Sequence, residues 1–231
     1  IGAFNVWEVA REAKVKHVLC ASTSSVYGNN QVLPFKERDA ANTPLSFYAA
    51  TKIANENFGF SYSHVWGLPT TMMRFFTVYG PWGRPDMALF KFVDAMLSGG
   101  YIEVYNDGEM ARDFTYIEDV VKAIRLLMQE PPGGHTKRRN EAGGALHEEP
   151  SFRAVNIGNA NKVVLTDFIG TIERSLNIKA KKKFRPIQPG DVRETWADVS
   201  LLESLIGYTP STDIGEGVNK FIQWYRSYYN R

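Results

Sequence analysis

Cysteine is almost missing from this chain of 231 residues: Cys20 stands alone, so no internal disulfide can form. Its place inside a short apolar run gives it a packing role. A lone thiol fits a reducing compartment, and a cytoplasmic location is expected. Histidine is nearly as sparse. His17, His64, His135 and His147 are scattered, and no spacing with acids or the cysteine matches a metal site, so no metal is expected. No run approaches the ~18 consecutive apolar residues of a membrane span, and the opening IGAFNVWEVAREAKVKHV has no signal-peptide layout. No membrane partner is therefore expected. The formal charge of +2 is too small to call for a nucleic-acid partner. Lys179, Lys181, Lys182, Lys183 and Arg185 do form a local basic run, and Phe184 within it predicts an exposed strand edge. Internal repeats are absent. So is any Gly-x-Gly-x-x-Gly, or relaxed Gly-x-x-Gly-x-x-Gly, ahead of residue 17, the turn that would bring backbone amides to a pyrophosphate.

What is present is concentrated between Ala21 and Lys52. His17 to Ala21 reads as a buried strand, and Thr23, Ser24 and Ser25 follow at its carboxyl end, where ligands gather in open α/β sheets. Ser46 is a plausible N-cap for a helix that puts Tyr48 and Lys52, four apart, on one face. A phenol ordinarily loses its proton near pH ~10, so it serves as a base near neutrality only when a cation lies close. Lys52 is the residue spaced to supply that cation.

The remainder alternates helices and strands. Ala3, Val6, Trp7, Ala10 and Ala13 recur at helical spacing before a strand from Val15 to Ser22. The Tyr48 helix is expected to reach Trp66 and stop at Gly67. Thr70 to Phe76 is a strand that runs into RFFTVYGPWGRPDMA, where glycine and proline predict a long loop, the sort of segment that carries function. Asp86 is positioned to cap a helix from Met87 to Ser98. Asp107-Gly108 predicts a hairpin between Ile102–Tyr105 and Met110–Tyr116. Ile117 to Gln129 is an amphipathic helix, and 131–150 is too polar and turn-rich to pack, hence a mobile insertion. Val155–Ile157 is a strand. Thr166, Ser200 with Glu203, and Asp213 with Glu216 predict three further helix starts, the last leading an aromatic stripe, Phe221, Trp224, Tyr225 and Tyr228, that reads as core.

Thr-Ser-Ser, Val-Tyr-Gly and Tyr-x-x-x-Lys in this order resemble the extended short-chain dehydrogenase/reductase family and, within it, the nucleotide-sugar epimerases. The likeness runs along nearly the whole chain. TSSVYG, YGPWGRPDMA and QPGD together are similar to UDP-glucuronate 4-epimerases. The resemblance implies an α/β fold: a partial doubly wound (Rossmann-like) parallel sheet with a smaller α/β substrate-binding domain. By it, 1–80 and 116–159 form a partial NAD-binding domain, and 81–115 with 160–231 bind the nucleotide sugar. It implies NAD as cofactor, a UDP-sugar as substrate, a homodimer through paired helices, and 4-epimerisation by transient oxidation at C4.

The same resemblance implies residue roles. Tyr48 is the acid/base, Lys52 holds the nicotinamide ribose with Tyr48 and Phe75 beside it, and Thr23 binds the sugar oxygen being oxidised. Ser24, Ser25, Thr77 and Arg84 would receive a uronate carboxylate. Arg112, in the segment ARDFTYIEDV, would pair with the diphosphate, and Asp191 and Arg193 lie in a segment that closes over the nucleotide. Ser24 and Ser25 stand where decarboxylases and dehydratases of this scaffold carry extra carboxylates, which favours epimerisation. Another UDP-sugar epimerase, a decarboxylase, or a non-catalytic sugar-nucleotide-binding fragment remains as the alternative. Because the family's glycine-rich turn is missing and residue 1 is not methionine, the expectation is a truncated chain that is inactive on its own.

Overall fold

The computed structural model describes residues 1–133, 151–188 and 190–231. The predicted insertion at 131–150 lies almost wholly outside them. Helix α1 (Gly2–Glu12) opens the chain, but of its predicted stripe only Trp7 is buried, while Ala3, Val6 and Ala13 face solvent. Strand β1 (Val18–Thr23) starts later than expected. Helix α2 (Phe47–Trp66) is capped as its sequence dictates: the Ser46 hydroxyl accepts from the Ala49 amide, and Gly67 ends it at φ 64°. Strands β2 (Thr70–Phe75) and β3 (Thr77–Tyr79) follow, the second inside the segment expected to be loop.

Next come α3 (Ala88–Leu97), β4 (Tyr101–Tyr105), β5 (Ala111–Tyr116), α4 (Ile117–Leu127), β6 (Phe152–Ile157), β7 (Lys162–Val164) and α5 (Leu165–Leu176). The chain closes with β8 (Lys181–Arg185), β9 (Glu194–Thr195), α6 (Ser200–Ile206) and α7 (Ile214–Tyr229). Among the described residues no helix is long and apolar enough to cross a membrane.

A three-stranded parallel sheet runs β1-β2-β6, with Thr23 beside Phe75 and Phe75 beside Ile157. Successive side chains on a strand point to opposite faces, and β2 shows the result. Met72 packs with Trp7, Tyr62 and Leu68 under α1 and α2. Met73 packs on the other side with Val120, Ala123, Leu127 and Leu202 of α4 and α6. Helices on both faces of a parallel sheet make the fold α/β and doubly wound. A second sheet joins β3, β5 and β7, with β9 on β5, and β4 pairs with β8. Around these strands lies the largest apolar cluster, which includes Phe114, Phe168, Ile172, Phe221 and Tyr225. Strand β3 pairs with β5, so the backbone ladder crosses the division expected near residue 80.

Several local expectations fail for reasons the packing makes plain. Residues 101–105 and 111–116 do not form a hairpin: Asn106 and Asp107 both turn left-handed (φ 48° and 50°), as a tight hairpin turn would allow, but β4 takes β8 as its partner and β5 takes β3, β7 and β9. Asp86 does not cap α3, because its carboxylate is engaged by Arg84. Thr166 does not cap α5, which starts two residues earlier than that cap would place it, with Val164 at the cap. At α6 the amide of Ser200 is met by Asp198 and not by a Ser200–Glu203 box. Asp213 does cap α7, accepting from the amides of Gly215 and Glu216. The aromatic stripe is only half core: Phe221 and Tyr225 are buried and Tyr228 is exposed. The basic run forms the exposed strand predicted for it, with Lys179 and Lys182 on Glu173 and Arg185 on Glu103.

Candidate active site

A cleft of about 660 Å³ opens at the carboxyl ends of β1 and β2, well within the range of ligand pockets. Ten of the residues singled out from sequence line it: Thr23, Ser24, Ser25, Tyr48, Lys52, Phe75, Thr77, Arg84, Arg112 and Asp191. Arg193 does not. Its backbone carbonyl instead accepts from the Arg112 guanidinium (3.0 Å), so it contributes as a fixed acceptor behind the cleft.

The floor is built where β1 passes into a 3-10 turn at Ser24–Tyr27. There the Thr23 hydroxyl accepts from the Ser25 amide and donates to the Ser25 hydroxyl, both at 3.2 Å. Gly28 lets the chain turn away at φ 55°, with the Thr43 carbonyl oxygen 1.9 Å from where a Cβ would sit. Helix α2 supplies one wall. Tyr48 is half-exposed at its first turn, and Lys52 lies one turn on with Nζ 5.8 Å from the Tyr48 ring centroid. The ammonium is anchored by donating to the Ala21 carbonyl (2.9 Å), so it sits over the ring on the strand side.

Two arginines also line the cleft. Arg112 donates to Asp191 Oδ1 (2.7 Å) and to the carbonyls of Ala111 and Arg193. Burial pushes its guanidinium below the usual arginine range, against the pull of Asp191. Arg84, by contrast, is exposed and grips Asp86 in a two-point ion pair.

Sequence reading missed Leu45, Met87, Thr195 and above all Trp82, all of which line the cleft. Trp82 adopts φ 64°, a left-handed conformation that a bulky residue rarely takes. Its ring stays largely exposed and packs on Trp224 and Tyr228. The available signal was an aromatic residue placed between glycine and proline in a loop after a strand. Also missed was the polar network behind the floor. Glu56 accepts from Ser22 Oγ (2.6 Å) and, at both oxygens, from Arg74 (3.0 and 2.7 Å). Arg74 stacks over the Tyr27 ring, whose hydroxyl donates to Asn156 (2.6 Å). Burial pushes the Tyr27 phenol up to about 12 despite Arg74. Burial also works against the Arg74 charge, but Glu56 and Tyr27 outweigh it and the guanidinium is held above its usual range.

Comparison with known proteins gives this geometry its context. A probable UDP-glucuronate 4-epimerase of Rhizobium meliloti (strain 1021) is 46% identical over 232 residues, covering 100% of this chain and 68% of its own. A 37.6 kDa protein from the cld 5' region of Escherichia coli O111:H- is 51% identical over 228 residues, covering 99% and 68%. Among solved structures, a UDP-glucuronic acid 4-epimerase from Bacillus cereus in complex with UDP-glucuronic acid and NAD superimposes with a TM-score of 0.84 at 29% identity. That match covers 98% of this chain and 67% of the other. The chain thus spans about two thirds of the length of each. Residues 1–143 match the family profile described as the NAD dependent epimerase/dehydratase family, and the chain belongs to that family.

Proposed function

We propose that the protein catalyses NAD-dependent 4-epimerisation of a UDP-sugar, interconverting UDP-glucuronate and UDP-galacturonate. The observation that carries this reading is the meeting of Thr23, Tyr48 and Lys52 with Arg84 and Arg112 in one cleft at the carboxyl ends of two parallel strands. Relatives that bear the UDP-glucuronate 4-epimerase name support the choice of reaction.

The residues fit the cofactor's reactive end: Lys52 is tethered to the Ala21 carbonyl beside Tyr48, and Phe75 closes the sheet end next to Thr23. Tyr48, Lys52 and Phe75 would hold the nicotinamide ribose. When bound, NAD supplies the chemistry of taking a hydride from C4 of the sugar and returning it to the opposite face. Tyr48 moves the proton: as the phenolate its oxygen takes the proton of the C4 hydroxyl while hydride leaves C4, and the phenol so formed gives the proton back on re-reduction. A positioned acid/base of this kind is worth ~10²- to 10⁴-fold. Thr23 orients the same sugar oxygen through its hydroxyl. Arg112 presents its guanidinium to the diphosphate, with Asp191 and the Arg193 carbonyl fixing its plane. Ser24, Ser25, Thr77 and Arg84 form the patch for the uronate carboxylate, whose charge pairs with Arg84.

On this reading residues 1–80 with 116–159 serve the cofactor, and 81–115 with 160–231 serve the nucleotide sugar. A homodimer is supported by the apolar side chains that α1 and α2 leave exposed, among them Val6, Val9, Val65 and Trp66. The cytoplasm is the assigned compartment, consistent with one free thiol at Cys20.

The test is direct. The longest natural form of the protein is incubated with NAD and UDP-glucuronate, and the products are separated by ion-exchange chromatography and assigned by proton NMR. Conversion to UDP-galacturonate, reaching the same mixture from either side, is the expected result. A decarboxylated pentose product, or no turnover of any UDP-sugar, refutes the proposal.

A further inference from the structure

Helix α2 carries Tyr48, Lys52 and Glu56 at successive i, i+4 positions, and its side chains are stitched to three consecutive residues of β1. The Asn55 side-chain amide donates to Cys20 Sγ (3.0 Å), Lys52 donates to the Ala21 carbonyl (2.9 Å), and Ser22 Oγ donates to Glu56 Oε1 (2.6 Å). The next residue along the strand is Thr23. The stitching therefore ends immediately beneath the hydroxyl that, in the proposed reaction, meets the same sugar oxygen as Tyr48.

The last stitch is built differently from the other two. Ser22, Glu56 and Arg74 are all buried, at 3%, 8% and 5% exposure. Ser22 and Arg74 are register partners across β1 and β2, so they lie side by side on one face of the sheet and both reach the same carboxylate. Arg74 continues to the Glu37 carbonyl (3.1 Å), and its other strand neighbour in register, Asn156 on β6, receives the Tyr27 hydroxyl. One carboxylate from α2 thus fixes the helix against two strands of the parallel sheet, β1 and β2, two turns along from Tyr48.

We propose that Ser22, Glu56 and Arg74 are positioning residues: the carboxylate clamp sets where the Tyr48 hydroxyl stands relative to the Thr23 hydroxyl. A buried ion pair by itself stabilises little over a well-packed apolar substitute and does not show such a role. The informative element is Ser22. Its bond to Glu56 spans helix and strand, and its removal leaves the Glu56–Arg74 pair in place. The fold then survives while the Tyr48 to Thr23 spacing loosens, and small displacements of reacting groups are costly to turnover.

The inference rests on the proposed epimerase reaction, and the experiment separates the two. Ser22→Ala, Ser22→Thr and the natural residue are compared in the longest natural form of the protein with NAD and UDP-glucuronate. Ser22→Ala is expected to lower kcat about tenfold with KM changed less than about twofold, the pattern of an interaction expressed in the transition state. Ser22→Thr, which keeps the hydroxyl, is expected to recover most of the lost turnover. Natural kcat in Ser22→Ala, a loss confined to KM, or failure of the threonine to recover turnover would overturn the proposal. Amide hydrogen exchange of residues 49–56 gives a readout that needs no turnover. Faster exchange there in Ser22→Ala, with α5 and α7 unchanged, is expected, and identical exchange would also overturn it. Should the unaltered protein turn over no UDP-sugar, the reaction assignment fails, and exchange alone decides whether the clamp holds the helix.

Discussion

Arg84 and Asp86 clasp each other at the mouth of the cleft, with Nε to Oδ1 at 3.0 Å and the second contact to Oδ2 at 2.5 Å, although both side chains are largely exposed. An exposed pair of this kind is weak, so an incoming carboxylate can compete for the guanidinium. Arg84→Met is therefore expected to lower kcat/KM for UDP-glucuronate about ten- to a hundredfold, the worth of one charge-assisted contact. UDP-glucose, which carries a neutral hydroxymethyl there, should change far less. Asp86→Asn, which frees Arg84, should shift preference the opposite way. Equal losses for both sugars in Arg84→Met would assign the arginine to phosphate binding or to structure.

Tyr48→Phe removes the proton-moving hydroxyl and keeps the ring. Turnover is expected to drop at least about a hundredfold, with UDP-sugar affinity by calorimetry little changed. Near-natural turnover by the variant would eliminate Tyr48 as the acid/base.

Glu173 latches the end of α5 to the start of β8: its carboxylate accepts from Lys179 (2.8 Å), from Lys182 (3.2 Å by ion-pair distance) and from the Ala180 amide (3.1 Å). The Lys179 bond first, then the Ala180 amide and Lys182, hold it down at about 2 from an ordinary 4.5 against the cost of burial. A lowered folded-state value means that this stabilisation is fully present above pH 4.5 and is lost as the pH falls toward 2. Urea midpoints should accordingly fall across that window in the natural protein. Glu173→Gln should be less stable at pH 7, and the gap between the two should close on acidification. A constant gap would show that the latch is not ionic.

Tyr79 presents a test of the second sheet. Its hydroxyl is buried without a hydrogen-bond partner among the described residues, and Gly217 of α7 approaches so closely that a Cβ there would meet the Tyr79 oxygen at 2.1 Å. Tyr79→Phe is expected to raise stability by about 1 kcal/mol, because it removes a desolvated polar group. Gly217→Ala should lower it by about 1 to 3 kcal/mol through overpacking. Thermal melts measure both, and a destabilised Tyr79→Phe would point to an overlooked partner for the hydroxyl.

The sequence alone determined what depends on local spacing. Ser46 and Gly67 bound α2 because the Ser46 hydroxyl accepts a free first-turn amide and the glycine takes the left-handed conformation that ends a helix. Tyr48 and Lys52 share a face because 3.6 residues make a turn. The apolar periods gave the order of helices and strands, and the Thr-Ser-Ser to Tyr-x-x-x-Lys arrangement pointed to the cleft and, through resemblance, to the family that comparison confirms. Arrangements that depend on distant partners were decided only in three dimensions. Asp107-Gly108 looks like a hairpin until β4 finds β8, some eighty residues further on. Asp86 looks like a cap until Arg84 takes its carboxylate. Glu56 looks like one more helix-surface acid, yet the strand pairing that sets Ser22 beside Arg74 buries it between them. Helical and strand periods reveal which way a side chain faces, but a hydrogen-bond partner is fixed by the packing of elements that the chain brings together from afar.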